Sequence, residues 1–141
     1  MKQQLKTCVE LGVDFIITSL GNPKQVIELC KPKGIKVFCD VVEETYAKKV
    51  EDLGADAVIA VNNNAGGHAG KLSSSELIKR IKGICSIPII SAGGVGNKKG
   101  VDEKINEGFA GISIGSPFIA CIESGISQEY KNACIKFWKF K

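Results

Sequence analysis

The single histidine of the chain, His68, stands directly behind two glycines in the segment Asn62-Asn63-Asn64-Ala65-Gly66-Gly67-His68-Ala69-Gly70. Imidazole is the side chain best placed to exchange a proton near neutral pH, and loop residues at the working end of a rigid strand are enriched in function. His68 therefore reads either as a general acid or base, or as a loop histidine satisfied by hydrogen bonds to its neighbours. Two more glycine-rich segments fall at strand ends. Ser91-Ala92-Gly93-Gly94-Val95-Gly96 follows Ile87-Pro88-Ile89-Ile90, and the third is Gly111-Ile112-Ser113-Ile114-Gly115-Ser116-Pro117-Phe118. Glycine lets backbone N–H groups approach a phosphate closely, and a short helix starting at Pro117 would aim its positive end at the same anion. One such turn is ordinary loop chemistry; two in succession at neighbouring strand ends favour a phosphate site over mere turns. A metal centre is not indicated, because one histidine without clustered carboxylates or thiolates does not make a usual donor set. Cys39 and Asp40 end another strand and could face the same rim, with Cys39 read as a packed thiol rather than a nucleophile.

The elements that must position these residues alternate along the chain. Short β-branched runs at 14–19, 35–41, 57–61, 88–91 and 111–115 read as strands, and amphipathic stretches at 2–11, 23–31, 43–53, 74–84, 99–107 and 128–140 read as helices. Asn22-Pro23 supplies a cap and a first-turn proline, Ser73 to Ser75 precede Glu76, and Gly12, Gly34, Gly54 and Gly108 each stop a helix. A joint of helix, glycine and strand recurs as Leu11-Gly12-Val13-Asp14, Leu53-Gly54-Ala55-Asp56 and Glu107-Gly108-Phe109-Ala110. It reads as the turn beneath a sheet or barrel, with function on the opposite rim. Continuous rather than alternating apolar strands need cover on both faces or a closed barrel. An eight-stranded (β/α) barrel takes about 250 residues, so 141 residues with five strands hold part of one, while a smaller open sheet also fits the length. The expectation is α/β, one domain over 1–141.

Composition narrows the function classes. With 44% hydrophobic and 24% charged residues the chain is no disordered tail. The net +4 comes from scattered lysines rather than a clustered stripe, which argues against nucleic acid as a partner. Six cysteines without CxxC spacing read as free thiols in a reducing compartment, and no apolar run reaches membrane-spanning length or forms a signal peptide. The expected location is the cytoplasm.

Taken in order, Gly54-Ala55-Asp56-Ala57-Val58-Ile59-Ala60, Ala65-Gly66-Gly67-His68-Ala69-Gly70, Ile87-Pro88-Ile89-Ile90-Ser91-Ala92-Gly93-Gly94-Val95 and Gly111-Ile112-Ser113-Ile114-Gly115-Ser116-Pro117-Phe118 resemble the nitronate monooxygenase family, formerly 2-nitropropane dioxygenases, with enoyl-acyl-carrier-protein reductase II as a relative. The likeness runs from Phe15-Ile16-Ile17-Thr18-Ser19-Leu20-Gly21-Asn22-Pro23 onward. The resemblance implies a partial (β/α)8 TIM barrel of about five parallel units, corresponding to family strands 4 to 8, and FMN as cofactor. It makes His68 the active-site proton-handling residue. Gly66 and Gly67 then pack beside FMN, Gly93 and Gly94 form one phosphate turn, and Ser113, Ile114, Gly115 and Ser116 form the other. Ser116 replaces the usual threonine and keeps its hydroxyl donor. Asn64 stands where the family carries glutamate and Val61 where a glutamine or similar polar group is frequent, so one flavin contact is missing. By the same likeness the first three strands are absent, and the family's longer C-terminal region stops after Glu129-Tyr130-Lys131. The implied function is FMN-dependent oxidation of small nitronates. The alternatives are an enoyl-reductase-like enzyme acting on an activated alkene with a nicotinamide donor, or a non-catalytic FMN- or phosphate-binding remnant. Open sheet edges would favour a homo-oligomer.

Overall fold

The computed structural model describes residues 2–19 and 21–139. Phe140, the expected end of the last helix, lies outside them. The elements follow one another as α1 (Lys2–Leu11), β1 (Phe15–Thr18), α2 (Lys24–Cys30) with a 3₁₀ turn (Lys31–Lys33), β2 (Lys36–Val41), α3 (Glu44–Asp52), β3 (Ala57–Val61), α4 (Ser74–Lys82), β4 (Ile89–Ala92), α5 (Lys98–Asn106), β5 (Gly111–Ser113), α6 (Ser116–Ile119) and α7 (Gln128–Lys139). Each expected strand and helix is present, shifted by a residue or two at most ends. The run at 111–115 is shorter as a strand, because Gly115 (φ −121°, ψ −58°) leaves the extended conformation to begin α6.

Five strands form one sheet in the order β1-β2-β3-β4-β5, every pair parallel. Chain order equal to spatial order decides the architecture. Crossovers of one hand between successive neighbours place every helix on the same side, whereas a doubly wound sheet would reverse direction at its middle. The buried cluster agrees: Val37, Cys39, Val41, Val58, Ala60 and Ile89 of the strands pack against Ile27, Ala47, Val50, Leu77, Ile78 and Ile81 of the helices. Side chains alternate along a strand, so Phe38, Asp40, Ile59, Val61 and Ile90 face the other way. The sheet is thus a curled half of a (β/α) barrel with a helix-covered outer wall and an open inner wall. On that inner wall Phe15 and Ile17 are each 50% exposed, and the Phe15 and Phe38 rings stack with centroids 5.1 Å apart.

Helix ends carry the expected chemistry. Ser73 and Glu76 form a reciprocal capping box on α4, which satisfies two of the helix's unpaired N–H groups. Pro23 stands at the N-cap of α2 rather than in its first turn, and ahead of it Asn22 Oδ1 accepts from the Lys24 N–H at 3.0 Å. Asp56, in the second helix-glycine-strand joint, ties β2 to β3 from below: its Oδ2 accepts from the Val37 N–H and its Oδ1 from Lys36 Nζ, both at 2.9 Å. Leu77 and Ile81 are fully buried on α4, each stabilising the fold by about 2–3 kcal/mol relative to exposure.

Glu51, near the end of α3, holds the α4–β4 joint. Its Oε1 accepts from Ser86 Oγ at 2.6 Å, the Ser86 N–H at 2.7 Å and the Ile87 N–H at 3.2 Å, while Oε2 pairs with Lys48 at 3.0 Å. The Ser86 hydroxyl first, then its N–H and Lys48, hold the carboxyl down at about 2, against an ordinary 4.5. Because the folded value is depressed, this contribution is present in full above the ordinary carboxylate range and is lost as pH falls towards about 2. Glu51→Gln is expected to destabilise the protein by about 1–2 kcal/mol at neutral pH, with the difference shrinking as pH drops from 4.5. Urea unfolding of both proteins across that range checks it, and a pH-independent difference would count against the ion as the cause.

Candidate functional site

Three loops leave the C-terminal ends of β3, β4 and β5, and they converge. The β3 loop begins with a tight turn in which the Ala65 N–H returns to the Asn62 carbonyl at 3.2 Å. The Gly93-Gly94 turn after β4 lies directly on it, both residues having left-handed φ (112° and 75°). A methyl group on Gly93 would come within 2.6 Å of Ala65 N and Asn62 Oδ1, and one on Gly94 within 2.9 Å of Asn64 Cβ. These glycines are thus required for loop-on-loop packing as well as for conformation. The β5 loop closes the group: a methyl on Gly66 would meet Ser116 Oγ at 3.1 Å, and one on Gly96 would meet Pro117 Cγ at 3.9 Å. Where a side chain on Gly115 or Gly67 would stand, no atom lies within 4 Å.

The sequence-derived residues therefore gather at one rim, though not all for the expected reason. Gly66, Gly93, Gly94 and Ser116 belong to the contacting turns, and Ser113, Ile114 and Gly115 lead into α6. His68 is exposed on the β3 loop just beyond Gly67, which has φ 82°. Beyond His68 the loop returns to the end of β2, where a methyl on Gly70 would lie 2.5 Å from the Val61 carbonyl oxygen and 3.4 Å from Val42 Cβ. Val61, where the family favours a polar group, is buried.

Cys39 and Asp40 part company. Cys39 is 1% exposed on the helix side, its Sγ accepting from the Thr18 hydroxyl at 3.3 Å, and burial pushes its thiol pKa up. It is the packed thiol the sequence favoured. Asp40 points to the inner wall.

The residue that sequence reasoning missed is Asn62. It is 1% exposed, with its Nδ2 donating to the Gly93 carbonyl at 3.0 Å and its Oδ1 accepting from the Asn64 N–H at 2.8 Å. One side chain thereby shapes the β3 turn and fastens the β4 turn to it. In a run of three asparagines at a strand end it reads as loop polarity, and only its burial separates it from Asn63 and Asn64.

Comparison with known proteins decides the family. The nitronate monooxygenase model matches residues 1–137. This chain belongs to the nitronate monooxygenase family. A probable nitronate monooxygenase of Staphylococcus saprophyticus is 34% identical over 94% of the chain, and the chain spans 42% of that relative's length. FabK from Thermotoga maritima superposes with a TM-score of 0.87 at 33% identity, over 93% of this chain and 42% of that one. A nitroalkane oxidase of Streptomyces ansochromogenes shares the fold, with a TM-score of 0.84 at 24% identity, over 94% of this chain and 42% of that one. The chain spans less than half the length of each of these proteins, in keeping with a partial barrel.

Asn62 gives the testable consequence. Asn62→Ala leaves the Asn64 N–H and the Gly93 carbonyl without this partner, at a cost of about 1–3 kcal/mol. Faster amide hydrogen exchange at Asn64 and Ala65 than in the parent is expected to accompany it. Unchanged exchange at both amides would show that the turns hold without the asparagine.

Proposed function

We propose that the C-terminal rim is a flavin-binding oxidoreductase site acting on a small organic substrate, with an alkyl nitronate as the leading substrate class. The observation that carries this reading is the convergence of the three glycine turns beside the His68 loop in a chain of this family. The residues fit FMN: Gly115 and Gly67 leave open space where any other residue would carry a side chain, and Ser116 brings a hydroxyl donor to the same place. In this reading the backbone N–H groups at Gly93-Gly94 and Gly115-Ser116, with the Ser116 hydroxyl, hold the phosphate. Gly66 and Gly67 let the β3 loop lie close to the ring. When bound, the flavin supplies the electron transfer. His68 takes up or releases the substrate's proton through its imidazole, and the apolar inner wall of Ile59, Val61 and Ile90 excludes water beneath it.

Reduction of an activated alkene is the second reading. What supports redox chemistry on a carbon skeleton is a relative from Rhodococcus jostii, 32% identical over 81% of this chain, named as a dehydrogenase of a hydroxy-methyl-oxo-octahydroindene-carboxyl-CoA, a reaction that is the reverse sense of such a reduction. Among the described residues no helix is long and apolar enough to cross a membrane. We place the protein in the cytoplasm, with the β1 and β5 edges able to pair with a second copy.

Two variants test the site. Gly94→Val is a poor probe, since it both strains a left-handed residue and strikes Asn64. Gly115→Leu adds its side chain to open space at a φ of −121° that side chains tolerate. FMN affinity, read by fluorescence titration, is expected to fall at least about tenfold with the fold retained; equal affinity in both proteins would remove the phosphate assignment.

His68→Ala is expected to keep FMN binding and lower turnover of nitronate by about a hundredfold or more, the scale for loss of a general acid or base. Equal turnover would return His68 to an ordinary loop residue.

A further inference from the structure

From Ala110 to Tyr130 the chain contains no buried residue, and the first buried side chain after Phe109 is that of Lys131 on α7, 8% exposed. The β5 turn at Gly115-Ser116 thus lies in a stretch that no buried apolar side chain anchors. Phe118 is 66% and Ile122 90% exposed, and α6 has four residues, too few to be stable as a helix by its own hydrogen bonds. Something other than apolar burial must fix this part of the rim.

Hydrogen bonds do so, in a series of short links. The Phe118 N–H donates to the Gly115 carbonyl at 3.0 Å and the Ala120 N–H to the Pro117 carbonyl at 3.2 Å. The Cys121 thiol then donates to the Phe118 carbonyl at 2.8 Å, and the Ser124 N–H to the Cys121 carbonyl at 3.3 Å. The series closes at Ile122, whose carbonyl accepts from Lys131 Nζ at 3.4 Å. Lys131 is itself held by its N–H, which donates to the Ser127 carbonyl at 3.1 Å, and α7 packs on α6. Among the described residues no other α7 side chain hydrogen-bonds to the segment 120–127, and Lys131 has no carboxylate partner. A lysine is rarely buried unpaired, and a methionine of similar length would fill the same space with less desolvation cost. What the ammonium adds is a directed, charge-assisted bond to a carbonyl.

We propose that Lys131 is a positioning residue for the β5 turn. Its buried ammonium holds the segment 120–127, and through the links back to Gly115 it keeps Gly115 and Ser116 at a fixed place on the rim. The proposal rests on the reading of that turn as part of the phosphate site and deepens it, by assigning the remote residue that keeps the turn preformed. A preformed turn receives its ligand without the cost of ordering a loop. Lys131 acts through the turn and touches neither flavin nor substrate.

Lys131→Met removes the donor and keeps a stem of similar length, while Lys131→Arg keeps both charge and donors. FMN and riboflavin, which lacks the phosphate, are titrated by fluorescence into the parent and both variants, and amide hydrogen exchange at Phe118, Ala120 and Ser124 is followed in the flavin-free chain. Lys131→Met is expected to weaken FMN binding about tenfold, the scale of one lost hydrogen bond to a charged group. Riboflavin affinity is expected to stay unchanged, exchange at Phe118 and Ala120 to quicken, and Lys131→Arg to give parent-like values throughout. Lys131→Leu serves in place of the methionine form if that does not fold. An equal loss for FMN and riboflavin, faster exchange with FMN affinity intact, or unchanged exchange at these amides overturns the proposal. A parent that binds FMN no better than riboflavin removes the phosphate reading instead, and the exchange rates still decide on Lys131.

Discussion

The structure depends on a one-sided sheet. Because five parallel strands follow one another in space as they do in sequence, every connecting helix falls on one wall, and the opposite wall is left to the strands' own side chains. All strand C-termini then point to one rim, so every loop after a strand starts from the same level. The glycine turns meet for this reason, although 31 residues separate Asn62 from Gly93. At the other end the same arrangement collects the joints that Asp56 and Glu51 fasten, which separates stabilising contacts from the working rim.

Close approach is the second constraint. The β3 and β4 turns sit nearer to each other than any residue with a Cβ permits, and Asn62 turns that proximity into two directed hydrogen bonds. A glycine pair in such a place is commonly read as room for a ligand. Here Gly93 gives room to the neighbouring backbone, while Gly115 opens space outward. The two kinds of glycine have opposite tolerance to substitution, so each glycine needs its own accounting.

The sequence made the regular elements legible because their signals are local. Ala57–Val61 is bounded by residues that cannot continue a strand, and the Ser73 and Glu76 pair announces α4 at its first residue. Spatial order was not local, and a smaller open sheet stayed compatible with the pattern until the register of β1 to β5 was known. The site was legible as three motifs, but the direction of each side chain was not. Cys39 and Asp40 are neighbours in the chain and lie on opposite walls, an outcome set by strand phase. Asn62 was hidden for a different reason: its partner Gly93 is remote in sequence, and nothing in its own surroundings marks it as buried.

The half-exposed pair Phe15 and Ile17 belongs to a four-residue strand at the margin of the sheet. Apolar surface at such a margin links folding to association through mass action. Any chain that covers it adds its own binding free energy to the stability of this one, by about 2.7 kcal/mol when present at a hundred times its dissociation constant. The melting temperature then depends on how much of that chain is present.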